Sequence, residues 1–151
     1  MSEQAAKAPA KSSRRRSREL AVQGIYQWRL TGGDEKQIEQ QIREEKGMGR
    51  YDAEFFSQLL LGILTRHAEL EVALTPHLDR SLNELSPVEF SVLLLGTYEL
   101  LHHPEIPYRV IINEAVELTK TFGGTDGHKY VNGVLDKLAA KLRAVESRAR
   151  P

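Results

Sequence analysis

SPVEFSVLLLGTYELLHHP, Ser86 to Pro104, decides the fold. Ser86 has the hydroxyl that suits a helix N-cap. Pro87 falls at the first helical position, where no N–H is needed, and Glu89 stands where a capping box closes. The helix that follows carries Val88, Val92, Leu93, Leu95, Gly96 and Leu100. It is apolar over much of its circumference, so it belongs at the centre of a core. His102-His103-Pro104 ends it.

Outward from this helix, almost every segment repeats at helical spacing. Downstream, Pro107 opens a helix with Val110, Ile111, Ala115, Leu118 and Phe122 as its buried face, closed by Gly123 as a C′ glycine. After Gly123–Gly127 a last helix carries Val131, Val134, Leu135, Leu138 and Leu142. Upstream, a short helix is expected around Pro76 to Leu82. Before it, Asp52 caps a stripe of Phe55, Phe56, Leu59, Leu60, Ile63 and Leu64 that continues through Leu70 and Leu74, with a break between Thr65 and Ala68. Ile38 and Ile42 mark a weaker helix capped by Asp34 and closed around Gly47-Met48-Gly49. The first helix places Ala21, Ile25 and Trp28 on one face beside Leu20 and Gly24, and stops at Thr31-Gly32-Gly33. Nothing reads as a hairpin or an internal repeat. The expectation is an all-α bundle of about seven helices.

The 151 residues suffice for one domain with a core. There is no cysteine, hence no disulfide framework, thiol nucleophile or thiolate metal site. No apolar run reaches membrane-spanning length, and the polar, basic N-terminus is no secretory signal, so a cytoplasmic location and no membrane partner are expected. The zero net charge hides an asymmetry. Residues 1–18 hold six cations (Lys7, Lys11, Arg14, Arg15, Arg16, Arg18) against Glu3, and the remainder is acidic to the same extent. A basic arm on an acidic body is a pattern of nucleic-acid partners. A solubilising tail is the plain alternative. Residues 1–13 read as a disordered basic arm, 14–143 as the folded domain, and 144–151 as a frayed tail.

TFGGTDGHKYVNGVL, Thr121 to Leu135, is the remaining site candidate. It is no Walker A loop: His128 separates Gly127 from Lys129, Tyr130 replaces the metal-binding hydroxyl, and the preceding element is helical. No His pair or carboxylate–His set has metal or acid–base spacing, so neither metal, cofactor nor catalysis is expected. Positive φ at Gly123, Gly124 and Gly127 explains the glycines as a turn, and Asp126 suits an N-cap. What the turn leaves over is His128-Lys129-Tyr130 at a helix N-terminus, where free amides attract phosphate and a phenol ring can stack on a base. Arg14, Arg15, Arg16 and Arg18 lead into the first helix as arginine-rich RNA-binding segments do. Four phosphate contacts on a single strand would give a salt slope of about −3. Cations at a helix start oppose its dipole, a conflict that an external anion would remove. Tyr26, two turns on, is either core-edge or a second stacking platform.

IPYRVIINEAVEL (Ile106–Leu118), with Lys120, Phe122-Gly123 and HKYVNGVLD (His128–Asp136), resembles the NusB family of transcription antitermination factors, and RRRSRELAVQGIYQW resembles that family's arginine-rich start. The resemblance runs from about Arg14 to Arg143. It implies two helical subdomains and a scaffold without chemistry. It implies binding of the single-stranded boxA RNA of ribosomal RNA leader transcripts together with NusE, a small-subunit ribosomal protein. The pair would act in the RNA polymerase antitermination complex with other Nus factors to suppress Rho-dependent termination. By that resemblance Arg14, Arg15, Arg16 and Arg18 meet phosphates, and Tyr26, Asp126, Lys129 and Tyr130 contact RNA. Glu89 matches an acidic position on the helix facing NusE; a capping role alone is the plain alternative. Asn113, Glu114 and Asn132 read as buried polar ties between helices. Related ribosomal RNA methyltransferases would need a following cofactor domain, so stand-alone binding is expected. A helical protein-interaction module with an incidental basic arm is the other reading.

Overall fold

The computed structural model describes residues 9–45, 49–123 and 126–149, and side chains within 13–147 of that range. Among them there are eight α-helices and no strand. The chain divides into two units, Met1–Thr65 and Arg66–Pro151. The division falls at the break expected after Thr65.

The first unit holds α1 (Pro9–Thr31), α2 (Glu35–Glu44) and α3 (Ala53–Thr65). Helix α1 starts inside the segment read as a disordered arm, and Lys7 lies outside the described residues. It ends where expected, because Gly32 (φ 72°) and Gly33 (φ 109°) take the left-handed backbone that turns the chain. Asp34 caps α2 by accepting from the Gln37 amide at 3.1 Å, and Asp52 caps α3 through the Phe55 amide at 3.0 Å. Leu20, Ala21, Val22 and Ile25 of α1 pack with Ile38 and Ile42 of α2 and the whole apolar stripe of α3. Gly24 permits the close approach: a Cβ there would stand 2.7 Å from Leu60 Cδ2 and 3.1 Å from Ile42 Cδ1. Gly47 and Met48 of the expected loop lie outside the described residues.

The second unit holds α4 (His67–Leu74), α5 (Pro87–His102), α6 (Tyr108–Phe122), α7 (Gly127–Leu142) and α8 (Ala144–Ala149). Helix α5 is central, with every residue from Phe90 to Leu100 buried. Its capping box forms as the spacing predicts: Ser86 Oγ accepts from the Glu89 amide and Glu89 Oε1 from the Ser86 amide, both at 3.1 Å. A Cβ on Gly96 would meet Leu135 Cδ1 at 2.9 Å, so glycine sets how closely α5 and α7 pack.

Four expectations are corrected here. The segment from Pro76 to Leu82 is no helix; two 3-10 turns, Thr75–His77 and Leu82–Glu84, flank an extended Ser81. Val110 is 43% exposed, because α6 turns Tyr108, Ile111, Ile112, Ala115 and Leu118 inward instead. Gly123 is extended (φ −110°, ψ −170°) rather than left-handed. It is glycine for room, since a Cβ would stand 2.8 Å from the Thr119 carbonyl. As far as Ala149 the tail does not fray, because α8 is pinned by two polar contacts; Arg150 and Pro151 lie outside the described residues. Glu146 Oε2 accepts from the Tyr108 amide at 3.0 Å, supplying a partner to one of the unpaired amides at the start of α6. Glu146 Oε1 pairs with Arg143 Nη1 at 2.8 Å.

Arg143 itself is buried. Its guanidinium donates to the carbonyls of Leu100 (2.9 Å), Ile106 (3.0 Å), His103 (3.0 Å) and Glu99 (3.4 Å). Leu100 lies at the end of α5, and the residue four on is Pro104, which has no N–H to give its carbonyl; the Glu99 and His103 carbonyls also accept from the His103 and Ile106 amides, so there the guanidinium is a second donor. One side chain from the end of α7 thus caps α5 and fixes the turn into α6.

Candidate nucleic-acid interface

In the first unit the arginines occupy the second and third turns of α1. The helix begins at Pro9, so Arg14 to Arg18 lie beyond the first turn, where the dipole acts. The conflict expected between these cations and a helix start therefore does not arise. Their directions differ with helical phase. Arg14 is exposed, its guanidinium 4.1 Å from the Phe55 ring centroid and its Nε 3.9 Å from Asp52 Oδ2. Arg15 is exposed. Arg16 is half-buried and pairs with Glu19 at 2.9 Å. Arg18 is 4% exposed and sits 5.0 Å from the same Phe55 ring. As placed, Arg18 packs inside the unit rather than facing a phosphate, which corrects its grouping with the others.

The segment is held firmly. Fully buried Ser17 accepts from the Asp52 amide at 2.8 Å, and its single hydroxyl proton is shared between the carbonyls of Asp52 (2.8 Å) and Ser13 (2.9 Å). Farther along, Tyr26 is 39% exposed and Leu30, one turn on, is 61% exposed. Tyr26 is therefore available as a platform rather than committed to the core.

In the second unit Asp126 occupies the N-cap of α7, but its side chain makes no capping bond. Only its carbonyl serves, accepting from the Lys129 amide at 3.1 Å. Gly127 is the first helical residue and lacks positive φ, so the turn explanation of this glycine is replaced by one of space. A Cβ there would meet Thr119 Cγ2 at 3.3 Å and Glu89 Oε2 at 3.5 Å. Gly124 and Thr125 lie outside the described residues. Glu89 is half-buried, with one oxygen in the capping box and the other beside the start of α7. Lys129 is exposed, while His128 is half-buried with Nδ1 out of water and unpartnered.

The Tyr130 platform is engaged on one face and at its hydroxyl. The Arg80 guanidinium lies 4.1 Å from its ring centroid, and its hydroxyl accepts from the Asp79 amide at 3.4 Å. Arg80 Nε donates to Asp79 Oδ1 at 2.8 Å. The Arg80 bond, and then the Tyr130 hydroxyl, hold the Asp79 carboxyl below its ordinary pKa. Burial pushes the Tyr130 phenol up. Sequence reading missed Asp79 and Arg80, because a dipeptide between two short turns carries no periodicity.

Helices α6 and α7 also flank an open cleft of about 460 Å³ lined by Tyr108, Arg109, Ile112, Asn113, Asn132 and Asp136. Asn113 and Asn132 are exposed, so they are not buried ties between helices; Glu114 is buried. Among the described residues no group of three or more His, Asp or Glu is placed to hold a metal. No helix among them is long and apolar enough to cross a membrane.

Comparison with known proteins gives these arrangements a context. The NusB family model matches residues 15–140. Transcription antitermination protein NusB of Nitrosomonas eutropha is 60% identical over 141 residues, covering 93% of this chain and 84% of that protein. The protein of the same name from Burkholderia vietnamiensis is 60% identical over 140 residues, covering 93% and 97%. Among solved structures, T. maritima NusB superposes with a TM-score of 0.74 at 33% identity, over 84% of this chain and 90% of that one. A crystal structure of antitermination factors NusB and NusE in complex with dsRNA matches with a TM-score of 0.77 at 26% identity, over 84% and 96%.

Proposed function

The chain belongs to the NusB family, and on that premise we propose that it is an antitermination factor that binds the boxA RNA of ribosomal RNA leader transcripts together with NusE. It works without chemistry of its own, as an adaptor in the cytoplasmic RNA polymerase antitermination complex with the other Nus factors, and suppresses Rho-dependent termination.

The observation that carries this reading is the arginine segment. Arg14 and Arg15 are exposed on a helix locked by the buried Ser17–Asp52 bonds. Solvated cations on a rigid support give phosphate affinity at low ordering cost. In the second unit, exposed Lys129 and the Tyr130 ring stand at the start of a 16-residue helix, where free amides favour phosphate. Tyr26 offers a further stacking surface, and Glu89 is the residue of α5 assigned to NusE. The placement of Arg18 reduces the arginine contacts to three, which lowers the expected salt slope to about −2 on a single strand.

Fluorescence anisotropy tests this directly, using a boxA RNA, a scrambled RNA and a boxA duplex, with and without NusE, across a salt series. Selective binding of the single strand that tightens with NusE is expected. Tyr130→Ala should then weaken binding by ~1–3 kcal/mol. Equal binding of the scrambled RNA under every condition would leave the protein-interaction module as the better account. Preference for the duplex would move recognition from bases to backbone shape.

A further inference from the structure

Arg80 was not read as a site, yet it is the most deliberately positioned exposed cation of the second unit. Its guanidinium lies on the Tyr130 ring at 4.1 Å, its Nε is bound to Asp79 at 2.8 Å, and the Asp79 amide is tied back to the Tyr130 hydroxyl. The three residues close a ring of contacts that removes most of the rotamer freedom of a long side chain. Only Nε is used. No hydrogen bond or ion pair within the described residues engages Nη1 or Nη2, and the side chain keeps 37% of its exposure. A planar fork held on an aromatic face with its outer edge free is the geometry that binds phosphate in a bidentate manner.

The surroundings extend the same charge. Lys137 and Lys141 follow Tyr130 at spacings of seven and four, which keeps them on one flank of α7, and both are exposed. Both act on His77, whose pKa is lowered by burial first and then by Lys141 and Lys137. His77 Nε2 is buried there without a partner. The nearby acids are Asp79, already paired, and Glu89, which also acts on Arg80.

We propose that Arg80 is an RNA-binding residue whose free guanidinium edge takes a backbone phosphate, with Lys137 and Lys141 continuing the phosphate path along α7. This rests on the RNA-binding reading given above. Arg80 would position RNA rather than read its sequence.

The test is the boxA RNA salt series on Arg80→Gln, Arg80→Lys and Arg15→Gln, with thermal unfolding of each. Arg80→Gln should lower affinity roughly tenfold for every RNA, as loss of a charge-assisted contact does, and flatten the salt slope by about 0.7. Arg80→Lys should restore the slope but not the full affinity, because the charge returns without the fork. Wild-type affinity and slope in Arg80→Gln, beside weakened binding in Arg15→Gln, would reduce Arg80 to a lock on its own turn. A loss of affinity at unchanged slope would assign it to supporting Tyr130 and equally overturn the proposal. If the wild type binds no RNA, the proposed function falls and this inference falls with it.

Discussion

The arginine segment of α1 and the corner where α7 ends both concentrate guanidinium on helices, and they use it in opposite ways. On α1, Arg14 and Arg15 are exposed and Arg16 is only partly covered. At the end of α7, Arg143 is drawn out of water and surrounded by four carbonyls and a carboxylate. The first arrangement keeps charge available to a partner. The second holds it inside the fold, on backbone carbonyls at the end of α5 and in the turn to α6. The difference lies in what each arginine can reach, since composition is the same in both. Arg18 shows the distinction within a single segment: three helical positions separate it, buried, from exposed Arg15.

The comparison breaks most readily at Arg143. Arg143→Met keeps the bulk and removes the donors, taking this partner from the Leu100 and Ile106 carbonyls and from Glu146 Oε1. A loss of ~3–5 kcal/mol is expected, as for breaking a buried charged network from one side. Urea denaturation measures it. A loss under about 1 kcal/mol would mean that water replaces the guanidinium and that the corner does not depend on it. Arg18→Met is expected to be milder, at ~1–2 kcal/mol. Its stem can be replaced in packing and mainly the contact with Phe55 is lost. The RNA salt slope should stay at the wild-type value; a flatter slope would return Arg18 to the phosphate-binding set.

What was legible in the sequence followed from local periodicity and capping. Ser86, Pro87 and Glu89 announce α5 because every partner lies within three residues. The stripes of α3 and α7 are visible for the same reason. The role of Arg143 was not legible, because its carbonyl partners lie 37 to 44 residues upstream and a lone arginine after Leu142 reads only as the end of the domain. Arg80 was hidden similarly, since it lies between two short turns and its significance comes from Tyr130, on α7. Val110 misled because it is apolar and adjoins the buried stripe of Ile111, Ala115 and Leu118, while its own helical position turns it outward. The arginine segment was visible as charge, but its division into exposed and buried members needed the phase of α1 and the position of Phe55.

Arg15→Gln should have the smallest effect on stability and so isolates the other half of the comparison. Arg15 is exposed on a helix whose anchoring runs through Ser17 and Asp52, so unfolding free energy should change by less than about 0.5 kcal/mol. Glutamine is nearly as good a helix former as arginine, which removes propensity as a confounding cause. Binding, by contrast, should weaken by a similar factor for boxA and scrambled RNA, and the salt slope should flatten by about 0.7, the share of one phosphate on a single strand. Affinity lost for boxA alone would make Arg15 a reader of bases. A measurable loss of stability would show that an exposed guanidinium on α1 supports the fold after all, and the separation between cations kept for partners and cations kept for the protein would no longer hold in this segment.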